Sequence, residues 1–197
     1  SMNREAPKLK AEIKKGKFLG RGEEKEVYED PDNPHFAKGI FHEYKEESLE
    51  FIKSRFYLTK IMHLLFLKNI PDIHLAASKP HMIIVDRMEA PGGWRSWIKS
   101  DDSLEKFEDT QELIEKLENF EVYTDSAEFN FEYDKDGNIC YVDSFVPWYV
   151  NKDGLIIPNY NPEKLEKALQ ELEGDKKEQG LSYLNRLKEL SKTVGTK

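Results

Sequence analysis

The stretch EAPGGW, residues 89–94, can continue neither a helix nor a strand. Proline fixes φ and lacks a backbone donor, and paired glycines lose more conformational freedom than other residues in a regular element. Before this break the pattern is strand-rich with one long helix. After it the pattern is mostly helical with one hairpin. The sequence therefore predicts an α+β chain in two halves, 1–88 and 89–197, within one 197-residue domain.

In the first half, KGKFLGRGEEKEVYED reads as strand, glycine turn, strand, and PDNP (31–34) as a turn. HFAKGIF reads as a further strand. From Glu46 to Lys68 apolar residues recur at helical spacing: Leu49, Ile52, Phe56, Leu58, Ile61, Leu64 and Leu65. Ile70-Pro71 ends this helix, and IHLAAS and HMIIVDRM follow as two strands parted by KP. In the second half, WRSWIK predicts a short helix and SLEKFEDTQELIEKLENF a longer one. Asn161 is a good N-cap with Pro162 at the first helical position of PEKLEKALQELEG, and Gly174 is its stop. LSYLNRLKELSK predicts the last helix.

Composition narrows the function. A net charge of -8 argues against a general nucleic-acid binder, which needs a positive field. The basic run KLKAEIKKGK near the N-terminus reads as a solvated face. Cys140 is the single cysteine, which leaves no internal disulfide and no thiolate zinc site. His35, His42, His63, His74 and His81 show no paired metal-ligand spacing. The most apolar run, IMHLLFL, is too short to span a bilayer. No signal peptide is recognisable, so no membrane association is expected and a cytoplasmic location is.

The chemistry concentrates in DSAEFNFEYDKDGNICYVDSF, residues 125–145. Strand-like runs flank DKDG, a turn signal. Folding the segment antiparallel about that turn sets Asn130 opposite roughly Tyr141, so Asn130 and Asp143 share the open end of the hairpin, with Asp125 just upstream. Mg²⁺ takes hard oxygen ligands and uses few protein groups when phosphates complete its shell. Asn130 and Asp143 suit that role, and Asp125 suits accepting a proton from a hydroxyl. A carboxylate at the end of the apolar strand YVD also needs a partner, because burying a bare charge is costly. Upstream, Gly20 and Gly22 in GRGEEKEVY permit a tight turn whose amides can approach phosphate. Lys38 in FAKGIF lies in the strand that follows.

Taken in order, these features resemble the protein-kinase-like superfamily: glycine turn, strand lysine, long helix, two strands, Pro-Gly break, helices, D-x4-N, hairpin, Asp. GRGEEKEVY resembles the phosphate loop of the Rio family of atypical kinases. DSAEFN resembles that family's D-L-S-E-Y-N catalytic loop, and YVDS its metal-binding segment. The aminoglycoside-phosphotransferase-like kinases share the D-x4-N and I-D pattern. The resemblance covers the chain to about Phe145. It implies a bilobal fold, with a small antiparallel-sheet N-lobe plus helix (1–88) and a reduced, mostly helical C-lobe (89–197). It implies transfer of the γ-phosphoryl group of ATP, with Mg²⁺ or Mn²⁺, to a hydroxyl of a protein or small molecule. Asp125 would be the catalytic base, Lys38 the α/β-phosphate lysine, and Asn130 and Asp143 the metal ligands. Gly20, Gly22, Lys25, Val27, Lys38 and Asp86 would line the nucleotide, with Met88 at the hinge that receives adenine.

The chain departs from that pattern at several positions. Lys25 stands at the third glycine position, Glu23 and Glu24 occupy the loop tip, and Tyr123 replaces the usual histidine. Glu47 and Glu50 are the candidates to pair with Lys38, yet Arg55 lies nearer the middle of the helix. No activation segment follows Asp143. The acidic loop tip and short C-terminal half fit a second reading, an inactive pseudokinase serving as a nucleotide-binding or protein-interaction module. The kinase-like reading requires Gly20, Lys38, Asp125, Asn130 and Asp143 to face one cleft; Lys38 and Asp143 on opposite surfaces would defeat the entire reading.

Overall fold

A computed structural model describes residues 14–22, 24–33, 35–42, 46–78, 83–90, 92–95 and 103–195. Three strands, β1 (Phe18–Arg21), β2 (Lys25–Glu29) and β3 (Phe36–Phe41), form an antiparallel meander. Helix α1 (Glu46–Leu65) then carries the chain across the sheet to β4 (Asp72–Ser78), and β5 (Ile83–Glu89) returns between β4 and β3. The sheet order is β1-β2-β3-β5-β4, all antiparallel. These elements come in the order that the sequence predicts.

Because side chains alternate along a strand, the register fixes two faces. Lys25 and Val27 share a face with Ala37 and Gly39, with Asp86 and Met88, and with Ile73 and Leu75. Ala37, Ile73, Asp86 and Met88 are all buried there. Phe56 of α1 packs on the Ile73–Met88 cluster, so this face is the inner one. The outer face carries Glu26, Tyr28, Lys38, His74 and Arg87.

The second half consists of α2 (Leu104–Glu118), two small hairpins and a helix pair. The hairpins are β6 (Phe131–Tyr133) with β7 (Ile139–Tyr141), and β8 (Trp148–Val150) with β9 (Ile156–Pro158). The helices are α3 (Pro162–Gln170) and α4 (Gly174–Gly195). Ser103 caps α2 by accepting from the Lys106 N–H. Asn161 caps α3 by accepting from the Lys164 N–H at 3.0 Å, with Pro162 in the first turn, as its sequence predicts.

Helix α1 serves both halves. Its residues Leu58, Ile61 and Met62 join Leu117, Phe131, Tyr141, Phe145, Leu165, Leu169, Leu184 and Leu187 in one core. Fully burying one such leucine stabilises the fold by about 1.5–3 kcal/mol. Gly180 of α4 permits this packing, since a Cβ there would stand 2.5 Å from Leu169 Cδ2. The glycine break runs beneath the first hairpin: Gly93 adopts φ +91°, the Lys135 N–H donates to its carbonyl, and Trp94 bridges to Asp134. Trp94 and Trp148 are buried, as core residues should be.

Three elements differ from expectation. The second hairpin is additional. Its NKDG loop (151–154) closes as DKDG (134–137) does, with Gly154 and Gly137 both at positive φ. Helix α4 begins at Gly174 rather than near Leu181: its exposed polar residues 174–179 form a leading stretch ahead of Leu181, Leu184 and Leu187, which pack on the core. Gly174, at φ +58°, still separates α3 from α4. Helix α1 ends at Leu65, and one more turn follows in which the Ile70 N–H donates to Phe66 O. Most of WRSWIK, including Trp97, lies outside the described residues, as do Glu23, His81, the Glu47 side chain and the first part of the basic run. Among the described residues no helix is long and apolar enough to cross a membrane.

Candidate functional site

The first hairpin supplies three of the predicted residues. Phe131 pairs with Tyr141, and the Val142 N–H donates to Asn130 O at 2.8 Å. Asn130 thus faces Val142, one residue beyond its expected partner, and Asp143 follows directly. Gly137, at φ +85°, closes the three-residue loop that sets this register. Asn130 is buried at the end of a 3-10 turn (Glu128–Asn130), and its Nδ2 donates to Asp125 O at 3.3 Å. The Asp125 carboxylate accepts from the Ala127 N–H at 3.0 Å, and the Asp125 N–H donates to the Tyr141 phenol. Burial, and then the field of Asp143, pushes the Tyr141 phenol well above its ordinary pKa, so it stays a neutral hydrogen-bonding group. Asp125, Asn130 and Asp143 are therefore gathered at one end of the hairpin.

Asp143 meets two cations. Its Oδ1 lies 3.8 Å from Lys25 Nζ and 3.5 Å from Arg55 Nη2, and it accepts from the Ser144 N–H at 2.8 Å. Lys25 also donates to Asp86 Oδ2 at 2.5 Å. Burial works against the charge on Lys25, but Asp86 and Asp143 outweigh it and leave the lysine pKa raised. Room for this pair comes from Gly39, which lies opposite Asp86. A Cβ on Gly39 would stand 2.2 Å from Asp86 Oδ1 and 2.9 Å from Lys25 Cδ.

Lys38 is elsewhere. One residue out of phase with Gly39, it projects from the outer face, where its Nζ lies 3.9 Å from Asp30 Oδ1 and donates to Lys14 O at 3.1 Å. Arg87 joins it, at 3.1 Å from Asp30 Oδ2. Lys38 and the Asp143 cluster thus stand on opposite faces of the sheet, which defeats the kinase-like reading as built on Lys38; the lysine beside Asp143 is Lys25.

Other predicted positions are placed as follows. Gly20 lies within β1 and Gly22 opens the β1–β2 turn, where the Gly22 N–H donates to Lys25 O and the Gly22 carbonyl accepts from His42 Nε2 at 3.0 Å. A Cβ on Gly20 would meet nothing within 4 Å. Val27 is on the inner face opposite Gly39. Met88 lies within a central strand, between Ala37 and Ile73, with its side chain in the buried cluster.

Arg55 and Glu24 complete the cluster, and sequence reasoning gave neither a role in it. Arg55 is 4% exposed and lies against the rings of Phe41 and Phe51. Its Nε donates to Ser144 Oγ at 2.9 Å, and its Nη1 is ion-paired with Glu24 of the loop tip. One charged chain therefore runs from the β1–β2 turn to the hairpin: Glu24, Arg55, Asp143, Lys25, Asp86. A signal for Arg55 exists in the sequence, since it falls three residues from Ile52 and Leu58 on the buried side of α1. A charge there requires partners.

A scan against protein-family models finds none that matches this chain, and a search of curated proteins finds no matching relative.

Proposed function

We propose that this chain is an ATP-dependent phosphotransferase, a small atypical kinase with the bilobal arrangement divided near Met88, whose phosphate lysine is Lys25 rather than Lys38. The observation that carries the reading is the buried Lys25, held by Asp86 and aimed at Asp143 on the inner face of the sheet. A lysine so placed is a fixed, charged donor for phosphate oxygens, and Asp86 supplies the acidic partner expected of Glu47 or Glu50. Asp143 and Asn130, both oxygen donors at one hairpin end, fit a hard divalent ion. When bound, Mg²⁺ or Mn²⁺ neutralises phosphate charge. The chain's own groups do the rest: Lys25 orients the phosphates, and Asp125 positions the acceptor hydroxyl and takes its proton. On this reading a nucleotide lies along β1 and β2 against Gly20 and Val27, which pair across the two strands.

A second reading draws on a specific observation, the contact of Arg55 with Asp143. A guanidinium beside that carboxylate supplies positive charge where a metal would, which fits an inactive pseudokinase that binds nucleotide or a protein partner. Calorimetric titration with ATP, with and without Mg²⁺ or Mn²⁺, tests the proposal together with a γ-phosphoryl transfer assay. Metal-enhanced binding with transfer supports the kinase, and binding without transfer supports the second reading. Absence of binding under every metal condition removes nucleotide chemistry altogether.

A further inference from the structure

Arg55 and Glu24 form an ion pair whose two members differ in what holds them. Arg55 is fixed: it is buried on α1, lies against Phe41 and Phe51, and is bonded to Ser144 and Asp143. The Glu24 side chain is half exposed. Its backbone is pinned, with the His42 N–H donating to Glu24 O and the neighbouring Gly22 N–H to Lys25 O, both at 2.9 Å. Releasing the pair therefore needs only a rotamer change at Glu24, which returns a carboxylate to water. Arg55 cannot follow it. Without Glu24, Arg55 keeps only Asp143 as a counter-ion, whose Oδ1 it shares with Lys25, and its Nη1 loses its partner, so an anion that displaces Glu24 restores the pairing of a buried cation.

We propose that Glu24 is a built-in plug that occupies an anion pocket formed by Arg55 with Lys25, and that polyphosphate binds there by displacing the Glu24 carboxylate. The identity of the anion as the phosphate chain of a nucleotide rests on the function proposed above; the plug itself does not. The geometry assigns the recognition to two cations. Arg55 Nη1 changes partner from carboxylate to phosphate, with the planar donor fork suited to both. Lys25 stands within 4 Å of the same Asp143 Oδ1 that Arg55 approaches. The acidic loop tip, which in sequence looks hostile to phosphate, thereby becomes a gate: closed, Glu24 ties the β1–β2 turn to α1 and the hairpin; open, it frees a preformed site. In a plugged protein the apparent affinity is the intrinsic one reduced by the fraction of molecules that are open.

The test uses the full chain and inorganic tripolyphosphate, titrated calorimetrically without metal. Glu24→Gln and Glu24→Asp are compared with wild type. The first removes the charge, and the second keeps it but shortens its reach to Arg55. Glu26→Gln serves as the charge-matched control, because Glu26 lies on the outer face of β2, bonded to Tyr28. For a plug closed in about nine molecules of ten, both Glu24 variants bind tripolyphosphate about tenfold more tightly than wild type, while Glu26→Gln stays within about twofold. Adding Arg55→Lys to Glu24→Gln abolishes the gain, with thermal melting used to verify that each variant is folded. The proposal is overturned if Glu24→Gln and Glu24→Asp bind no tighter than wild type, if Glu26→Gln gains as much, or if no variant binds tripolyphosphate. If the gain is seen but ATP binds no better than tripolyphosphate, the plug stands and the nucleotide reading falls.

Discussion

Replacing Gly39 by alanine would insert a methyl group where the structure leaves no space. The added Cβ would lie 2.2 Å from Asp86 Oδ1 and 2.9 Å from Lys25 Cδ. Asp86 is 3% exposed and its Oδ2 holds Lys25 Nζ at 2.5 Å, so neither side chain can yield without loosening the pair. Overpacking a core costs about 1–3 kcal/mol, and separating a buried ion pair costs about 3–5 kcal/mol. Because the pair would be strained rather than deleted, a loss of about 3 kcal/mol is expected. For a chain of this size that corresponds to a fall in Tm of roughly 6–12 °C, at about 2–4 °C per kcal/mol. Urea unfolding followed by circular dichroism measures it, with Gly20→Ala as the control, since a Cβ on Gly20 meets nothing within 4 Å. Equal stability of Gly39→Ala and Gly20→Ala would refute the inward placement of Lys25 and Asp86.

Three further outcomes are expected. Asp143→Asn removes the charge that would balance a divalent ion, so Mg²⁺-dependent ATP binding falls sharply while metal-free binding is unchanged or improves; a loss of thermal stability with no metal-specific effect would assign Asp143 a structural role. Asp125→Ala leaves ATP affinity nearly intact and lowers phosphoryl transfer about 10²–10⁴-fold; loss of metal–nucleotide affinity instead would make Asp125 a ligand. At Asp72, burial would raise the carboxyl pKa, but the hydrogen bond from Lys60 and the fields of His63, Lys60 and His74 outweigh it and leave the pKa lowered. Its stabilising contribution is then full above the unfolded value of about 3.9 and is lost as pH falls through the lower folded value. The stability difference between wild type and Asp72→Asn should accordingly shrink as pH falls below about 4, and a difference that grows between about pH 4 and pH 2 would contradict the sign.

The order of elements was legible because each carries its own local signal. The seven apolar residues of α1, the Asn161-Pro162 cap and the DKDG turn all act through neighbouring residues. The gathering of Asp125, Asn130 and Asp143 was legible for the same reason, apart from a one-residue register shift set by the Gly137 loop. The identity of the inward lysine was not. In FAKGIF the apolar residues fall at 36, 37, 40 and 41, on both parities, so alternation does not choose a face. The choice is made by Gly39, whose missing side chain accommodates Asp86 from β5 and Lys25 from β2. That is a contact between residues 61 positions apart, invisible to any local pattern. The Arg55–Glu24 pair escaped for a related reason: the helical spacing marks Arg55 as buried, but only the tertiary fold brings the loop tip within its reach.

The central claim is that Lys25, and not Lys38, serves a nucleotide site beside Asp143. Its most direct test is calorimetric titration of Mg²⁺-ATP into wild type, Lys25→Met and Lys38→Met, each verified as folded by its melting curve. Lys38 projects from the outer face toward Asp30, so Lys38→Met should bind within about threefold of wild type, a change of less than about 0.7 kcal/mol. Lys25→Met removes the cation shared by Asp86 and Asp143, and should weaken binding by at least tenfold, or about 1.4 kcal/mol. Binding abolished by Lys38→Met and spared by Lys25→Met would contradict the account, as would a folded wild-type protein that binds no nucleotide.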